Sequence, residues 1–272
     1  MTKRWLVALD VDRTTLTDDY RVLPIVREAV AKARQAGVYV ALVTARAPDA
    51  VRHVLKDLGD VDATICCGGA LAMLPGENGW QVGPGSEAPF ILPHQLRSVV
   101  LKARELDVPL AAYTIDAVFV DRMEPVLEDE FRLTGMTGKE HDLLSLPTPV
   151  AKVLAIGRAG RDEVLHDLRH AFAEKLACVF SQENLLEIMK EGTSKGNALL
   201  SLANTFGVSA ADTIAVGDSE NDLSMFAVAG LAIAMGNATD KVKVAAHRVT
   251  TTNNEGGVAA ALLYCHDNVW KR

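Results

Sequence analysis

The chain has 272 residues, enough to bury the core of one large domain or two modest ones. Apolar residues make up 49% and charged residues 23%, the balance of an ordered globular protein, and no run approaches the length of a membrane span. A formal net charge of -7 argues against a nucleic-acid binder, because phosphate-backbone affinity rests on clustered Lys and Arg, so any grip on an anionic substrate must come from a local site.

Trp5 to Leu9 is a short continuous apolar run, the pattern of a strand buried on both faces of a parallel sheet, and it stops at Asp10 and Asp12, two carboxylates one valine apart. Pro24 opens an amphipathic helix with Ile25, Val26, Ala29, Val30 and Ala33 on one face, and Gly37 closes it. Val38 to Val43 reads as a second strand, Pro48 to Leu58 as a second helix and Ala63 to Cys67 as a third strand. This βαβαβ order, with right-handed crossovers, makes half of a doubly wound sheet. The rhythm changes near Gly68. Glycine- and proline-rich turns lead to a helix from about Pro93 to Leu106, short strands over Leu110 to Tyr113 and Val118 to Val120, and a looser segment through Pro149. A strand (Val153 to Ile156), a helix (Arg161 to Lys175) and two strands (Cys178 to Ser181, Leu185 to Met189) follow. After Gly192 the first rhythm returns: a helix from Ser194 to Phe206, the strand "TIAVG", a helix from Asp222 to Ala229, the strand "LAIAM", a helix from Thr239 to Ala246, the strand "RVT" and a helix from Gly257 to Tyr264. The expected architecture is α/β: a doubly wound parallel, Rossmann-like core over residues 1–82 and 190–272, split by an inserted α+β unit over residues 83–189.

Residues i and i+2 of a strand face the same way, so Asp10 and Asp12 lie together at the carboxyl end of the first strand, where open α/β sheets put their ligands. The returning half brings Asp218, Asn221 and Asp222 to another strand end, in "TIAVGDSENDLSM". A few hard oxygen ligands of this kind suit Mg²⁺, which keeps several waters and shares substrate phosphate oxygens. Thr44 ends the second strand and Lys195 opens a helix in "GTSKG", a hydroxyl and an ammonium suited to the outer oxygens of a phosphoryl group. Four cysteines, two adjacent at Cys66 and Cys67, form neither CxxC spacing nor a disulfide framework, and "MTKRWLVALD" reaches an acid too soon for a signal peptide, so a reducing cytoplasm is the expected setting.

In order and spacing, "DVDRT", Thr44, "EGTSKGNAL" and "GDSENDLSM" resemble the four motifs of the haloacid dehalogenase superfamily of phosphatases. The large insert resembles its C2-type cap, as in the Cof-like branch, and "GGALAM", "MGNATDKVK" and "TTNNEGGVAAAL" extend the resemblance over nearly the whole chain. The resemblance implies an Mg²⁺-dependent phosphatase acting on a small phosphorylated metabolite, most simply a sugar phosphate. Asp10 would be the nucleophile that forms an aspartyl-phosphate, and Asp12 the general acid and base. The metal would be held by Asp10, the backbone carbonyl of Asp12 and Asp218, with Asn221 and Asp222 around it, while Thr44 and Lys195 would bind the phosphoryl group. Arg13, Arg46 and Asn184 are candidate substrate contacts. No oligomeric state can be read.

Four positions depart from the family pattern: Arg13 and Gly68 stand where glycine and asparagine are usual, Thr15 replaces a leucine, and Ala45 gives "TAR" for "TGR". Taken singly the motif residues are unremarkable, since Asp222 is also a good helix N-cap and Lys195 an ordinary surface lysine; their joint placement at successive strand ends is what a purely structural role does not explain. Other signals read as empty. "GPGSEA" from Gly83 to Ala88 is followed by Pro89 where a dinucleotide-binding helix would begin, His166 and His170 flank an apolar stripe, Cys66 and Cys67 belong to a core, and "GTSKG" lacks the first glycine of a phosphate-binding loop. Two alternatives use the same residues: a phosphomutase, and a non-catalytic phospho-accepting or metabolite-binding switch, against which stand the length of the chain and its cap.

Overall fold

The structure is a computed structural model that describes residues 5–77, 79–83, 90–146, 148–161 and 163–270. β1 (Trp5–Asp10) carries four consecutive side chains, Leu6 to Leu9, that see no solvent. α1 (Pro24–Gln35), β2 (Val38–Val43), α2 (Pro48–Leu58) and β3 (Ala63–Cys66) follow, both helices starting at a proline whose missing N–H would have no helical partner anyway. β4 (Leu71–Gly76) and β5 (Gly79–Val82) form a hairpin. A second unit holds α3 (Pro93–Glu105), β6 (Leu110–Tyr113), β7 (Val118–Val120), α4 (Pro125–Thr134), β8 (Gly138–Glu140), β9 (Lys152–Ile156), α5 (Glu163–Phe172), β10 (Leu176–Gln182) and β11 (Leu185–Lys190). The chain returns through α6 (Lys195–Phe206), β12 (Thr213–Gly217), α7 (Leu223–Phe226), β13 (Leu231–Ala234), α8 (Asp240–Ala245), β14 (Arg248–Val249) and α9 (Gly257–Asn268).

The first sheet has the order β14-β13-β12-β1-β2-β3-β4-β5, parallel from β14 to β3 and antiparallel over the hairpin. Its two faces bury alternate residues of each strand. Val7, Leu9, Val40 and Leu42 pack with Val26 and Val30 of α1 and Val258 and Leu262 of α9, whereas Leu6, Ala8, Ala41 and Val43 pack with Leu199 and Leu202 of α6 and Val242 of α8. Helices on both faces make this the doubly wound core, and β1 at its middle is paired on both edges.

The second sheet, β10-β11-β9-β6-β7-β8, is antiparallel except for the β7–β8 pair. α3 and α5 cover one face through Val99, Val100, Ala103, Leu165 and Leu168. The opposite face, with Ala111, Tyr113 and Leu154, joins Leu127 and Phe131 of α4 and the core's own apolar layer. This is an α+β cap set on the end of the core.

Several elements differ from the sequence expectation. β3 stops at Cys66, because Cys67 and Gly68 take positive φ (53° and 68°) and turn the chain. The hairpin β4–β5 occupies residues that read as turns, since Pro75, Gly76 and Gly79 mask the strand pattern. The looser segment holds α4, whose buried stripe is only Leu127 and Phe131, and β8, which leaves Lys139 and Glu140 exposed. α5 is shorter than expected and α9 longer. Beyond Gly83, the "GPGSEA" loop lies outside the described residues. No helix among the described residues is long and apolar enough to cross a membrane.

Candidate active site

Three strand ends and one helix start converge at the carboxyl edge of the first sheet. β1 ends on Asp10, and the chain then makes a single wide turn over Val11 to Thr15, closed by a hydrogen bond from the Leu16 amide to the Val11 carbonyl at 2.9 Å. The Thr15 hydroxyl donates to the Asp10 carbonyl at 2.6 Å, which fixes the turn onto the strand. Thr44 follows β2 and is fully buried, and Asp218 follows β12. Gly217 is required there: a Cβ would lie 2.4 Å from the Asp222 carboxylate, which instead occupies that space. The Asp222 Oδ2 accepts from the amides of Asp218 at 3.0 Å and Ser219 at 3.1 Å, so it holds the turn that carries Asp218.

Lys195 is the first residue of α6, after the N-cap Ser194, whose hydroxyl accepts from the Asn197 amide. A cation is disfavoured at that end of a helix dipole, so the position is demanded by its surroundings. Its Nζ donates to Asp10 Oδ1 at 2.6 Å, Asp222 Oδ1 at 2.7 Å and Asn221 Oδ1 at 3.0 Å, and only 2% of the residue is exposed. Burial alone would lower the Lys195 ammonium, but Asp10 and Asp222 outweigh it and hold it well above its usual range. Asp10 is pushed well up by burial and by Asp222, with Lys195 pulling it back. Asp218 is pushed up to about 6, by burial first and Asp222 second, while the hydrogen bond from the Thr14 hydroxyl (3.0 Å) opposes the shift.

Asp10, Asp218 and Asp222 each place a carboxylate oxygen within 4.8 Å of the others, all buried. Among the described residues three buried acids share one ammonium in direct contact, a surplus of carboxylates that a divalent cation would neutralise, and an all-oxygen donor set is the chemistry of Mg²⁺. With both oxygens of Asp222 already committed to Lys195 and to backbone amides, Asp10 and Asp218 are the carboxylates left to face an ion.

Asp12 points elsewhere. Its carboxylate is 41% exposed and sits in the fork of Arg46, whose Nη2 reaches Oδ1 at 2.6 Å and whose Nε reaches Oδ2 at 3.0 Å. Arg46 is itself buried, and its Nη1 donates to the carbonyl of Thr134 at the end of α4, so one guanidinium ties this edge of the core to the cap. Arg13 is exposed and its carbonyl accepts from the Asn237 side chain at 2.8 Å. Asn184 lies in the exposed β10–β11 hairpin turn, its carbonyl bonded to the Gly157 amide. That is the end of β11 farthest from the core, about 16 Å along the strand from Met189, which abuts Gly68. The structure thus gathers Asp10, Thr44, Lys195, Asp218, Asn221 and Asp222 at one edge, sets Asp12 and Arg46 beside them, and leaves Arg13 and Asn184 at the surface.

Sequence reasoning missed the residues the cap brings. Lys152 and Glu187 are buried charged residues inside apolar strands, in "KVLAI" and "LLEIMK", and a charge at a core position is a signal that a partner waits there. Thr14 and Glu130 carried no such mark. His166 and His170 are exposed on α5, and burial pushes the Cys66 and Cys67 thiols far up, Cys67 to about 12, as expected of inert core cysteines.

The family described as haloacid dehalogenase-like hydrolase matches residues 7–262 of the chain. The chain is 29% identical to 5-amino-6-(5-phospho-D-ribitylamino)uracil phosphatase YwtE of Bacillus subtilis, over 93% of this chain and 95% of the relative. It is 29% identical to pyridoxal phosphate phosphatase YbhA of Escherichia coli, over 98% and 99%. Among solved structures, a haloacid dehalogenase-like hydrolase from Bacteroides thetaiotaomicron superposes with a TM-score of 0.83 at 26% identity, covering 96% of this chain and 99% of the other.

Proposed function

The chain belongs to the haloacid dehalogenase-like hydrolase family, among its capped Cof-like phosphatases, and from that premise we propose that it hydrolyses a small phosphorylated metabolite, a sugar phosphate or a related ester, through an aspartyl-phosphate at Asp10. The observation that carries this reading is the buried cluster in which the Lys195 ammonium is set among Asp10, Asp218 and Asp222. Phosphoryl transfer needs chiefly positioning and neutralised charge, and a cluster with a surplus of carboxylates is matched to a cation and a phosphoryl group together. Asp10, Asp218 and the backbone carbonyl of Asp12 would hold Mg²⁺, which when bound would supply positive charge against the phosphoryl oxygens.

The remaining work falls to the chain itself. Lys195 holds Asp10 in place and, with the Thr44 hydroxyl, faces the outer phosphoryl oxygens. The Asp10 carboxylate attacks phosphorus, the bond to the leaving alcohol breaks, and Asp12 gives that oxygen its proton. Asp12, now a carboxylate, takes a proton from the water that attacks the aspartyl-phosphate, which releases inorganic phosphate and restores Asp10. Arg46 must yield part of its grip on Asp12 for these transfers, which couples the acid to the cap through Thr134.

Phosphate release from p-nitrophenyl phosphate and a panel of sugar phosphates, pyridoxal phosphate and phosphoribityl compounds tests the reading, with Mg²⁺ or EDTA, for the wild type and Asp10→Asn. Turnover that requires Mg²⁺ and falls by on the order of 10³-fold or more in the variant is expected. Equal turnover in Asp10→Asn would exclude Asp10 as the nucleophile.

A further inference from the structure

The face that the cap turns to the catalytic edge is charged, and nearly every charge on it has a partner. Lys152 on β9 and Glu187 on β11 are both buried, with Lys152 Nζ 3.6 Å from Glu187 Oε2 and 4.4 Å from the centroid of the Tyr113 ring. The same Nζ crosses to the core and donates to the Ala45 carbonyl at 2.5 Å. Arg46 is spent on Asp12 and the Thr134 carbonyl.

Glu130 is the exception. It lies one turn before Thr134 on α4, hence on the same helix face, and its carbonyl accepts from the Thr134 hydroxyl at 2.7 Å. Its carboxylate is half-buried and takes no hydrogen bond or ion pair among the described residues. Arg46, which holds Asp12, donates to the Thr134 carbonyl at 3.2 Å, so this last turn of α4 is where the cap meets the proton-transferring acid, and Glu130 belongs to it. Burial pushes it up from the usual carboxylate range, against the pull of Lys152.

Resting on the phosphatase reading and deepening it, we propose that Glu130 selects the leaving group: it accepts hydrogen bonds from hydroxyl or amino groups of the alcohol and turns away esters that carry a second anionic group beside the phosphate. Two cations, Arg46 and Lys152, stand against three carboxylates, Asp12, Glu130 and Glu187, and both cations are already paired. A leaving group with hydroxyls or an amine gives Glu130 the donors it lacks. One with a carboxylate or second phosphate meets a like charge while both of these cations are committed elsewhere, and juxtaposed like charges in a poorly solvated site discriminate strongly. Selection therefore works through rejection of anionic competitors as well as through the new hydrogen bonds.

Glycerol 3-phosphate and 3-phosphoglycerate differ only in a hydroxymethyl group against a carboxylate, which makes them a matched pair. Their inhibition constants against p-nitrophenyl phosphate turnover would be measured for the wild type, Glu130→Gln and Glu130→Asp, with thermal unfolding to confirm folded protein. The wild type is expected to favour glycerol 3-phosphate by about 10- to 100-fold. Glu130→Gln should bring that ratio to within about threefold, mainly by tighter binding of the carboxylated ester, and Glu130→Asp should keep the preference. The same ratio in wild type and Glu130→Gln, proportional weakening of both esters, or no competition by either would overturn the assignment of Glu130. Absence of p-nitrophenyl phosphate turnover in the wild type would instead remove the phosphatase reading, and this inference with it.

Discussion

Arg13 adopts φ 56° and ψ 13°, a left-handed conformation in which a side chain costs roughly 1–2 kcal/mol relative to the right-handed one. That is why glycine suits this position after the second acid, and why the arginine here is a strained but harmless occupant, its side chain in solvent. Arg13→Gly relieves the conformational cost, while the unfolded glycine chain gains entropy worth about 0.5–1 kcal/mol in the opposite sense. The expected net effect is a gain of about 0.5 kcal/mol in stability with phosphatase turnover unchanged, read by urea unfolding and steady-state assay. A clear loss of turnover would show that the arginine serves the substrate. Ala45, by contrast, is absent from the positive-φ residues, so "TAR" carries no backbone penalty. The acids, Thr44 and Lys195 were legible because each stands at the end of an element whose period is unmistakable. Glu130 was not, since only the folded cap tells which face of α4 meets Arg46.

At the scale of elements, the turn after β1 is clamped from the far end of the chain. The Asn237 side chain donates to the Arg13 carbonyl at 2.8 Å and accepts from the Asn253 amide at 2.9 Å, and Asn253 in turn donates to the Leu16 carbonyl at 3.1 Å. This clamp lies outside the buried acid–lysine cluster yet fixes the turn on which Asp12 rides. Asn237→Ala should cost about 1 kcal/mol of stability for the lost hydrogen bonds and lower kcat several-fold with less change in KM. Urea unfolding with steady-state kinetics would check both, and a wild-type kcat would confine the clamp to stability. The segments "MGNATDKVK" and "TTNNEGG" were visible as motifs, but their job was not, because it depends on contacts between residues more than two hundred positions apart in the chain. Parallel strands and their helices could be read from hydrophobic period alone. The hairpin β4–β5, α4 and β8 could not, since their buried stripes are too short or too interrupted by glycine and proline to show one.

For the molecule as a whole, crowding three buried carboxylates around one ammonium costs the folded state stability that a bound cation would return. Mg²⁺ at a hundred times its Kd should stabilise the protein by about 2.7 kcal/mol, EDTA should reverse the gain, and Asp218→Asn should reduce it. Scanning calorimetry would show this as a rise in Tm, and an unchanged Tm over a wide Mg²⁺ range would refute the site. Core and cap also share a destiny during synthesis. β1 lies between β2, which leaves the ribosome soon after it, and β12, which follows roughly two hundred residues later. At ordinary translation speeds that is about 10–40 s during which one edge of this apolar central strand has no permanent neighbour. The cap, whose strands pair within one continuous stretch of chain, can fold in that interval. Asp10 at the end of β1 therefore waits for Lys195 until the whole cap has been synthesised.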